Sequence, residues 1–167
     1  ASAAYEAAIE TYKQDVAAAR MAQWRNRCVS DGYEPGSTFK LITLASALDS
    51  GAVTLNDSFY CGGQEKFTGR EQILNCWKSA GHGAQTTAQA LGNSCNIAFG
   101  HIGLRMGGDT FYDYLKSFGV MEKTGVDLPG EASGLFYERK YLNDPANYGT
   151  SYLITSSFGQ SFRITPM

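Results

Sequence analysis

The sequence contains no apolar run that approaches the roughly 20 residues a membrane-spanning helix needs. Its start, ASAAYEAAIETYKQD, lacks the basic-then-apolar order of a signal peptide. Fourteen Lys and Arg residues against sixteen Asp and Glu residues give a formal net charge of -2, and no basic run is interleaved with aromatics. We therefore expect no membrane span within the sequence and no nucleic-acid partner.

Cysteine and histidine are also scarce, with four residues of the first kind and two of the second. The cysteines include no CxxC pair and no Cys/His spacing typical of a tetrahedral zinc site. His82 lies in a Gly-rich GHG turn and His101 in FGHIG, and we expect neither to be catalytic. The sequence thus predicts no bound metal and no cofactor. The cysteines are Cys28, Cys61, Cys76 and Cys95.

The length of 167 residues and the glycine content bound the fold. A chain of this length folds as one domain that buries roughly 70% of its unfolded surface. Glycine accounts for 19 residues, about 11% against a usual share of about 7%. We therefore expect a single domain over residues 1–167 with many tight turns between short elements, which disfavours a simple helical bundle.

Two helices are predicted in the first third of the chain. Residues 3–20 are rich in Ala, Glu, Lys and Gln, which favours a peripheral helix. Pro35 and Gly36 then allow the chain to turn sharply and to start a new helix. Residues 37–49 are too apolar for a surface helix, so we expect a central, buried helix there.

The middle of the chain mixes an irregular region with further helices. From residue 52 to 85 the composition turns to Gly, aromatic and polar residues, which predicts short strands such as SFYCG and QILNCWK. A helix is expected from about Thr86 to Leu91, and after GNSCN a second helix to about Met106. Asp109 is predicted to cap a further helix, DTFYDYLKSFG.

Ser37 and Lys40 form an S-x-x-K motif at the start of the apolar helix. On a helix these side chains project from one face, with Cβ atoms about 5 to 6 Å apart. An amine kept neutral by desolvation can take the proton of the hydroxyl, and the first helical turn favours a developing oxyanion. The pair alone is a weak motif because serine is common. Because lysine is rarely buried, its position in so apolar a helix indicates a functional role.

Ser94 and Asn96 lie between two predicted helices, in LGNSCNIAFG. A second hydroxyl can relay a proton between a base and a leaving amine, and a carboxamide offers a donor and an acceptor to a substrate amide. The alternative is that Asn93, Ser94 and Asn96 cap the following helix. Both interpretations can hold together.

Ser37-x-x-Lys40, followed 57 positions later by Ser94-x-Asn96, resembles the active-site motifs of the penicillin-recognising acyltransferases. The segments WRNR, YEPGSTFK, ALGNSCNIAF, KTGVDLPGE and FGQSFRITP resemble, in this order, the transpeptidase domain of class B penicillin-binding proteins. The resemblance covers most of the chain. The cysteine contexts FYCGG, NCWK and NSCN resemble the spore-cortex or cell-division branch of Gram-positive relatives.

This resemblance implies an α+β fold of the penicillin-binding, β-lactamase-like class, represented mainly by its helical part. It also implies peptidoglycan D,D-transpeptidation, in which Ser37 attacks the penultimate D-Ala carbonyl of a stem peptide. Lys40 would be the base, Ser94 the proton relay and Asn96 a ligand for the substrate amide. β-Lactam antibiotics would acylate the same serine.

The same resemblance predicts where the protein works and what it meets. Besides peptidoglycan stem peptides, cell-wall synthesis proteins are the expected partners. The expected location is the extracytoplasmic face of the bacterial cytoplasmic membrane, with the anchor outside this segment.

Two departures from the family pattern concern the sheet. Between the N-terminal helix, residues 1–20, and WRNR there is no β-rich run, where the family places strands. The family's catalytic Lys-Thr-Gly strand follows the segment that resembles FGQSFRITP. We therefore expect residues 21–167 to carry the S-x-x-K and S-x-N motifs, with the catalytic strand lying beyond Met167.

A Lys-Thr-Gly tripeptide does occur at Lys123, Thr124 and Gly125, but ahead of FGQSFRITP. Its next residue is Val126 rather than the small hydroxyl residue that would help to hold a substrate carboxylate. We interpret this tripeptide as a decoy that is not catalytic.

A β-lactamase is the competing hydrolytic interpretation. Class A β-lactamases use a Glu base in an E-x-x-L-N segment. Here Glu138 is separated from Leu142 and Asn143 by one residue more than this segment allows. We therefore favour a slowly deacylating transpeptidase that penicillin inhibits. The further alternatives are a penicillin-binding sensor and a catalytically incomplete scaffold fragment.

Cys95 lies inside the second motif, beside the candidate proton relay. In an oxidising setting, a disulfide between Cys76 and Cys95 would distort the site until it is reduced. The hypothesis of a redox pair rests only on the location of Cys95 in the second motif. Four cysteines allow three full pairings, and burial as free thiols explains them equally well.

Overall fold

The computed structural model describes residues 2–68, 72–144 and 149–167. This part of the chain is mainly helical and has few strands, which confirms the expected α+β class. The elements are α1 (Ala3–Trp24), α2 (Arg27–Ser30), a 3₁₀ turn (Gly36–Phe39), α3 (Lys40–Asp49), β1 (Ser58–Cys61), β2 (Gln64–Glu65), β3 (Leu74–Asn75), β4 (Gly83–Thr86), α4 (Thr87–Gly92), α5 (Asn96–Met106), α6 (Gly108–Ser117), α7 (Arg139–Leu142) and α8 (Gly149–Ser156).

Helix α5 forms the centre of the core because it is apolar on most sides. Seven of its eleven residues are buried, and it packs against α3 and α8. Gly103 allows the close approach of α8, since a Cβ at this position would lie 1.8 Å from Ser157 Oγ. The two predicted motifs therefore lie at the N-terminal ends of two packed helices, α3 and α5.

Residues 58–86 contain two antiparallel two-stranded sheets. Strand β1 pairs with β4, which places Cys61 opposite Gly83, and β2 pairs with β3. The predicted strand SFYCG is observed as β1. QILNCWK is extended only at Leu74–Asn75, because its partner β2 offers just two residues for pairing.

Helix α1 extends the predicted N-terminal helix to Trp24 and buries none of its residues. Its peripheral position agrees with its composition, since Ala, Glu and Lys favour a helix without supplying a strong apolar face. Within residues 2–68, 72–144 and 149–167, no helix is both long and apolar enough to cross a membrane.

Two of the predicted helix starts are corrected by the structure. The segment that begins at Ser37 is a 3₁₀ turn up to Phe39, and α3 starts at Lys40. Helix α6 starts at Gly108, so Asp109 lies within its first turn instead of capping it. Gly107 takes the cap position with a φ of 78°, a conformation that glycine adopts without a Cβ clash.

Candidate active site

The 3₁₀ turn places Ser37 at the surface and Lys40 in the core. Side chains three positions apart eclipse each other in a 3₁₀ helix, so the two groups share one face. Ser37 is exposed, whereas Lys40 is only 1% exposed. Lys40 Nζ lies 3.1 Å from Ser37 Oγ. The arrangement joins a hydroxyl that a substrate can reach to an amine that water hardly reaches.

The backbone beneath Ser37 is held by the segment FGQSF. Gly36 N–H donates to the Gly159 carbonyl at 2.8 Å. Gly159 has a φ of 83°, and a Cβ on it would lie 2.0 Å from the Gly36 oxygen. Phe39 packs against Phe162, with ring centroids 4.7 Å apart. Only glycine fits at position 159, because both its conformation and its contact leave no room for a side chain.

Four oxygen atoms surround Lys40 Nζ. Besides Ser37 Oγ, they are the Ser94 carbonyl oxygen at 2.8 Å, Ser94 Oγ at 2.9 Å and Asn96 Oδ1 at 2.8 Å. The Ser94 carbonyl and Asn96 Oδ1 can only accept hydrogen bonds, so they take up two N–H groups of the amine. A neutral lysine then has its lone pair left for the proton of the Ser37 hydroxyl.

Burial lowers the pKa of Lys40 to about 8, and only charge on the Cys76 and Cys95 sulfurs acts in the opposite direction. The aromatic rings of Phe99 and Phe158 lie 5.5 and 6.0 Å from Nζ. Among the described residues, no carboxylate lies within ion-pair distance of Lys40. The environment therefore favours the neutral amine that a general base requires.

Ser94 completes the group from the start of α5. Its hydroxyl donates to Ser37 Oγ at 2.9 Å. Its backbone has a φ of 49°, an uncommon conformation for a residue other than glycine, and it turns the chain between α4 and α5. Such conformations concentrate at functional sites.

The capping role considered for this segment falls to Cys95, whose sulfur accepts from Ala98 N–H at 3.5 Å. The Asn93 side chain donates instead to Gln85 at 2.9 Å. The side chains of Ser94 and Asn96 are therefore free of capping and face Lys40.

The tripeptide Lys123, Thr124 and Gly125 lies in an exposed turn and not in a strand. Glu131 accepts from the Thr124 hydroxyl at 2.7 Å and from the Thr124 N–H at 2.6 Å. The hydroxyl hydrogen bond from Thr124 is the main reason that the pKa of the Glu131 carboxyl is lowered. A protein carboxylate thus occupies the donors that a substrate carboxylate would need.

Glu138 precedes α7 at the surface. Its carboxylate pairs with Lys140 at 2.9 Å, and it is exposed. Asn143 approaches the first residue of α6, since a Cβ on Gly108 would lie 2.4 Å from Asn143 Oδ1. Ser37 Oγ bonds instead to Lys40 and Ser94, which agrees with the spacing argument against a class A deacylating base.

The structure brings together a group of residues that sequence spacing does not reveal. Cys76 and Cys95 are buried free thiols whose sulfur atoms lie 4.0 Å apart. Cys61 and His82 join them, so that four potential metal ligands converge. Burial raises the pKa of the Cys95 thiol to about 12. The spacings between the four residues match no common zinc-binding motif, so the sequence alone did not predict that they meet.

His101 has a different environment. It lies within α5 and not at its flank, and its Nε2 is 2.9 Å from a Glu65 carboxylate oxygen. This pair joins α5 to β2, and His101 lies five residues along the helix from Asn96.

Comparison with known proteins identifies relatives of the chain. Residues 3–167 match the family model described as the penicillin binding protein transpeptidase domain. Stage V sporulation protein D of Bacillus subtilis is 42% identical over 144 residues, which cover 86% of this chain and 21% of that protein. Peptidoglycan D,D-transpeptidase MrdA of Acinetobacter baumannii is 32% identical over 145 residues, covering 85% of this chain and 22% of that protein. The chain thus spans about a fifth of the length of these relatives.

A solved structure shares the fold. It is the complex between a penicillin-binding protein (PBP2) and MreC from Helicobacter pylori, to which the chain is similar with a TM-score of 0.73 and 28% identity. The match covers 85% of this chain and 27% of that one.

Proposed function

Since the chain belongs to the family of penicillin-binding protein transpeptidase domains, we propose that it carries the nucleophile, base and proton relay of a peptidoglycan D,D-transpeptidase. The observation that supports this most is the set of contacts around Lys40 Nζ, which lies 3.1 Å from Ser37 Oγ and 2.9 Å from Ser94 Oγ. Two packed helices without a catalytic role give no reason to bury a lysine that has no carboxylate partner among the described residues.

Acylation begins with the neutral amine of Lys40. Its lone pair takes the proton of Ser37 Oγ as the oxygen attacks the penultimate D-Ala carbonyl of a stem peptide. A C–O bond forms and the carbonyl becomes a tetrahedral oxyanion. When the C–N bond breaks, Ser94 Oγ gives its proton to the departing D-Ala amine and takes one from the Lys40 ammonium. The products are an acyl-enzyme on Ser37, free D-Ala and a neutral lysine.

Deacylation runs through the same groups in reverse. The amine of a neighbouring stem peptide attacks the acyl carbonyl and passes a proton through Ser94 to Lys40. The Ser37 oxygen leaves and recovers that proton, so both peptides end up joined by a new amide bond. A β-lactam enters the first half of this sequence, but its leaving amine stays attached to the acyl group, which hinders the second half.

Asn96 is assigned the role of positioning the substrate. Its Oδ1 accepts from Lys40, so its amide group is oriented with the NH₂ available as a donor to a substrate carbonyl. The carboxylate-binding strand is proposed to come from a segment other than Lys123, Thr124 and Gly125, because Glu131 already occupies the Thr124 donors.

The cellular setting is part of the same proposal. Peptidoglycan is the substrate, and the extracytoplasmic face of the cytoplasmic membrane is the place where it is cross-linked. Cell-wall synthesis proteins are proposed as partners, because the similar Helicobacter pylori protein was solved as a complex with MreC. The 42% identity with a stage V sporulation protein favours the sporulation branch over the division branch.

A turnover assay tests the proposal. A longer chain that extends past Met167 is mixed with a donor peptide ending in D-Ala-D-Ala and an amine acceptor, and released D-Ala and joined peptide are measured by mass spectrometry. We expect both products with the wild-type chain and neither with Ser37→Ala. D-Ala release without joined peptide would indicate a hydrolase, and an acyl-enzyme without any product would indicate a penicillin-binding sensor.

A further inference from the structure

Four side chains that can bind a metal ion meet beside the candidate active site. Cys61 ends β1, Cys76 follows β3, His82 precedes β4 and Cys95 caps α5. All three thiols are buried, and His82 is partly buried. Each residue offers one ligand atom, and these atoms all lie within 4.8 Å of one another.

The distances within this cluster suit a tetrahedral metal site. With Zn–S bonds of about 2.3 Å and a Zn–N bond of about 2.1 Å, a tetrahedron places two sulfurs about 3.8 Å apart and a sulfur and a nitrogen about 3.6 Å apart. The Cys76 and Cys95 sulfurs are 4.0 Å apart, and Cys76 Sγ lies 3.7 Å from His82 Nδ1. Two of the six distances between ligand atoms are thus close to those of a tetrahedral zinc site, and the other four do not exceed 4.8 Å.

Backbone contacts hold the ligand-bearing segments against each other. His82 N–H donates to the Cys61 carbonyl at 3.0 Å, and Cys76 N–H donates to the Gly63 carbonyl at 2.8 Å. Gly81 has a φ of 76°, and a Cβ on it would lie 2.2 Å from the Cys61 oxygen. Ala98 N–H donates to the Cys95 sulfur, as is common around metal-bound thiolates. The site is thus built by the fold and does not depend on a flexible loop.

The small sheets around the cluster would be stabilised by a bound metal. The two sheets of residues 58–86 have only two to four residues per strand, and such small units commonly rely on a metal or a disulfide. His82 Nε2 is buried and has no hydrogen-bond partner among the described residues. The nitrogen placed to bind a metal is Nδ1, which lies 3.7 Å from Cys76 Sγ, and Nε2 would then carry the imidazole proton.

We propose that Cys61, Cys76, His82 and Cys95 bind a structural zinc ion with a Cys₃His ligand set. Three thiolates and an imidazole match the ligands that zinc prefers, and the cluster contains no carboxylate that would favour a harder cation. On binding, three S–Zn bonds and one N–Zn bond form, the three thiol protons pass to solvent, and no electrons are transferred. With four protein ligands the ion has no open position, so its role is structural and not catalytic.

The position of Cys95 connects this ion to the active site. Cys95 lies between Ser94 and Asn96, both of which bond to Lys40 Nζ. A metal bond to Cys95 would hold the start of α5 in place and would stabilise the uncommon Ser94 backbone, whose φ is 49°. Loss of the ion should therefore slow acylation of Ser37. This consequence depends on the proposed transpeptidase function, whereas metal binding itself does not.

Metal content is the direct test. The full chain is purified with a reductant and equimolar zinc, passed through a desalting column, and analysed by inductively coupled plasma mass spectrometry. We expect about one zinc per chain for the wild type and a drop of at least about tenfold for Cys61→Ser and for His82→Ala. Cys28→Ser is the matched control, because Cys28 is an exposed thiol outside the cluster, and it should keep the wild-type content. Wild-type protein without zinc, or ligand variants that retain it, would overturn the proposal.

Cobalt substitution supplies a readout that does not depend on variants that fold. Cobalt(II) added to the reduced wild-type chain should give the intense visible bands of a tetrahedral site and a thiolate-to-cobalt charge-transfer band, and zinc should bleach both. Absence of these bands would contradict the proposal. So would peptide mapping that found a Cys76–Cys95 disulfide in protein purified with reductant and zinc, because the same sulfurs cannot be oxidised and bound to zinc.

The two proposals fail separately. A chain that binds zinc but forms no acyl-enzyme would retain the metal site and lose the transpeptidase assignment. A chain that is acylated at Ser37 without binding zinc would retain the transpeptidase assignment and lose the metal site.

Discussion

At the scale of single residues, the candidate chemistry depends on a buried lysine that pairs with no carboxylate in the described part of the chain. Lys40 has four oxygen neighbours, and two of them can only accept. The sequence predicted the pairing of Ser37 with Lys40, because groups three positions apart on one helix meet whatever the rest of the fold does. The contribution of the Ser94 carbonyl could not be predicted, since it depends on a backbone φ of 49° that no residue type in GNSCN demands.

The pH dependence of acylation reports on Lys40 directly. With a pKa of about 8, about a tenth of the amine is neutral at pH 7 and about nine-tenths at pH 9, and the neutral form is the active base. The second-order rate of β-lactam acylation should therefore rise about tenfold between these pH values and then level off. The groups near Lys40 that can themselves titrate are the thiols of Cys76 and Cys95 and the imidazole of His82.

Stopped-flow measurement of the acylation rate from about pH 6 to about pH 10 checks this expectation, with hydrolysis of the β-lactam in buffer as the blank. A rate that keeps rising tenfold per pH unit above pH 9 would mean that the pKa of Lys40 stays near its ordinary value of about 10.4.

Removal of the candidate proton relay should slow the reaction without unfolding the protein. Ser94→Ala deletes the hydroxyl that lies 2.9 Å from both Ser37 Oγ and Lys40 Nζ. We expect the acylation rate to fall by about 10² to 10⁴, the usual range for a lost general acid or base.

Ser133→Ala is the matched control, since Ser133 is exposed on the segment between α6 and α7. Its acylation rate should equal that of the wild type. If Ser94→Ala reacts within about threefold of this control, the relay role is lost.

At the scale of elements, the site is formed where the N-terminal ends of α3 and α5 meet. The sequence predicted both helices because each is a long apolar run with a breaker before it. It did not predict the 3₁₀ turn at Gly36–Phe39, which depends on contact with Gly159, 120 or more positions away. The sequence paired Cys76 with Cys95 by location alone, but it did not predict that Cys61 and His82 join them, because these residues meet only in the folded chain.

The contact between Gly159 and the turn can be tested with a pair of glycine variants. Gly159 and Gly130 have φ values of 83° and 82°, but only Gly159 lies against other atoms. Gly130→Ala should cost about 1–2 kcal/mol of unfolding free energy from backbone strain alone. Gly159→Ala should cost more, and it should also slow acylation because the added methyl group displaces the Gly36 carbonyl.

Urea denaturation and β-lactam acylation of both variants give the comparison. Equal losses of stability with unchanged acylation would show that Gly159 does not support the turn that carries Ser37.

The exposed turn at residues 123–125 provides an internal negative control. Lys123 is exposed, and the recorded hydrogen bonds of Thr124 go to Glu131 and Val126. Lys123→Ala should therefore leave the acylation rate unchanged, as measured by labelling with a fluorescent penicillin. A loss comparable to that of Ser94→Ala would return this tripeptide to the active site.

At the scale of the whole molecule, the described residues form a mainly helical unit with two small sheets beside it. Fold class and family could be predicted from sequence because several ordered motifs agree along most of the chain, and residues 3–167 match the family model. The four-residue S-x-x-K motif alone does not carry such information. What the motifs could not provide is the three-dimensional environment of Lys40, whose burial is created jointly by α3, α5 and the segment after α8.

The proposed function also sets an expectation for the isolated 167-residue chain. If a strand beyond residue 167 binds the substrate carboxylate and supplies one oxyanion N–H group, as proposed, a chain without that strand should be acylated about 100- to 1000-fold more slowly. The longer chain is therefore the form in which the central claim is tested.

The most direct measurement is peptide mapping of the longer chain after reaction with a β-lactam. The account predicts one covalent adduct per chain, located on the tryptic peptide that contains Ser37, and no adduct in Ser37→Ala. An adduct on another residue, or an unmodified Ser37 in folded protein after prolonged incubation, would contradict it.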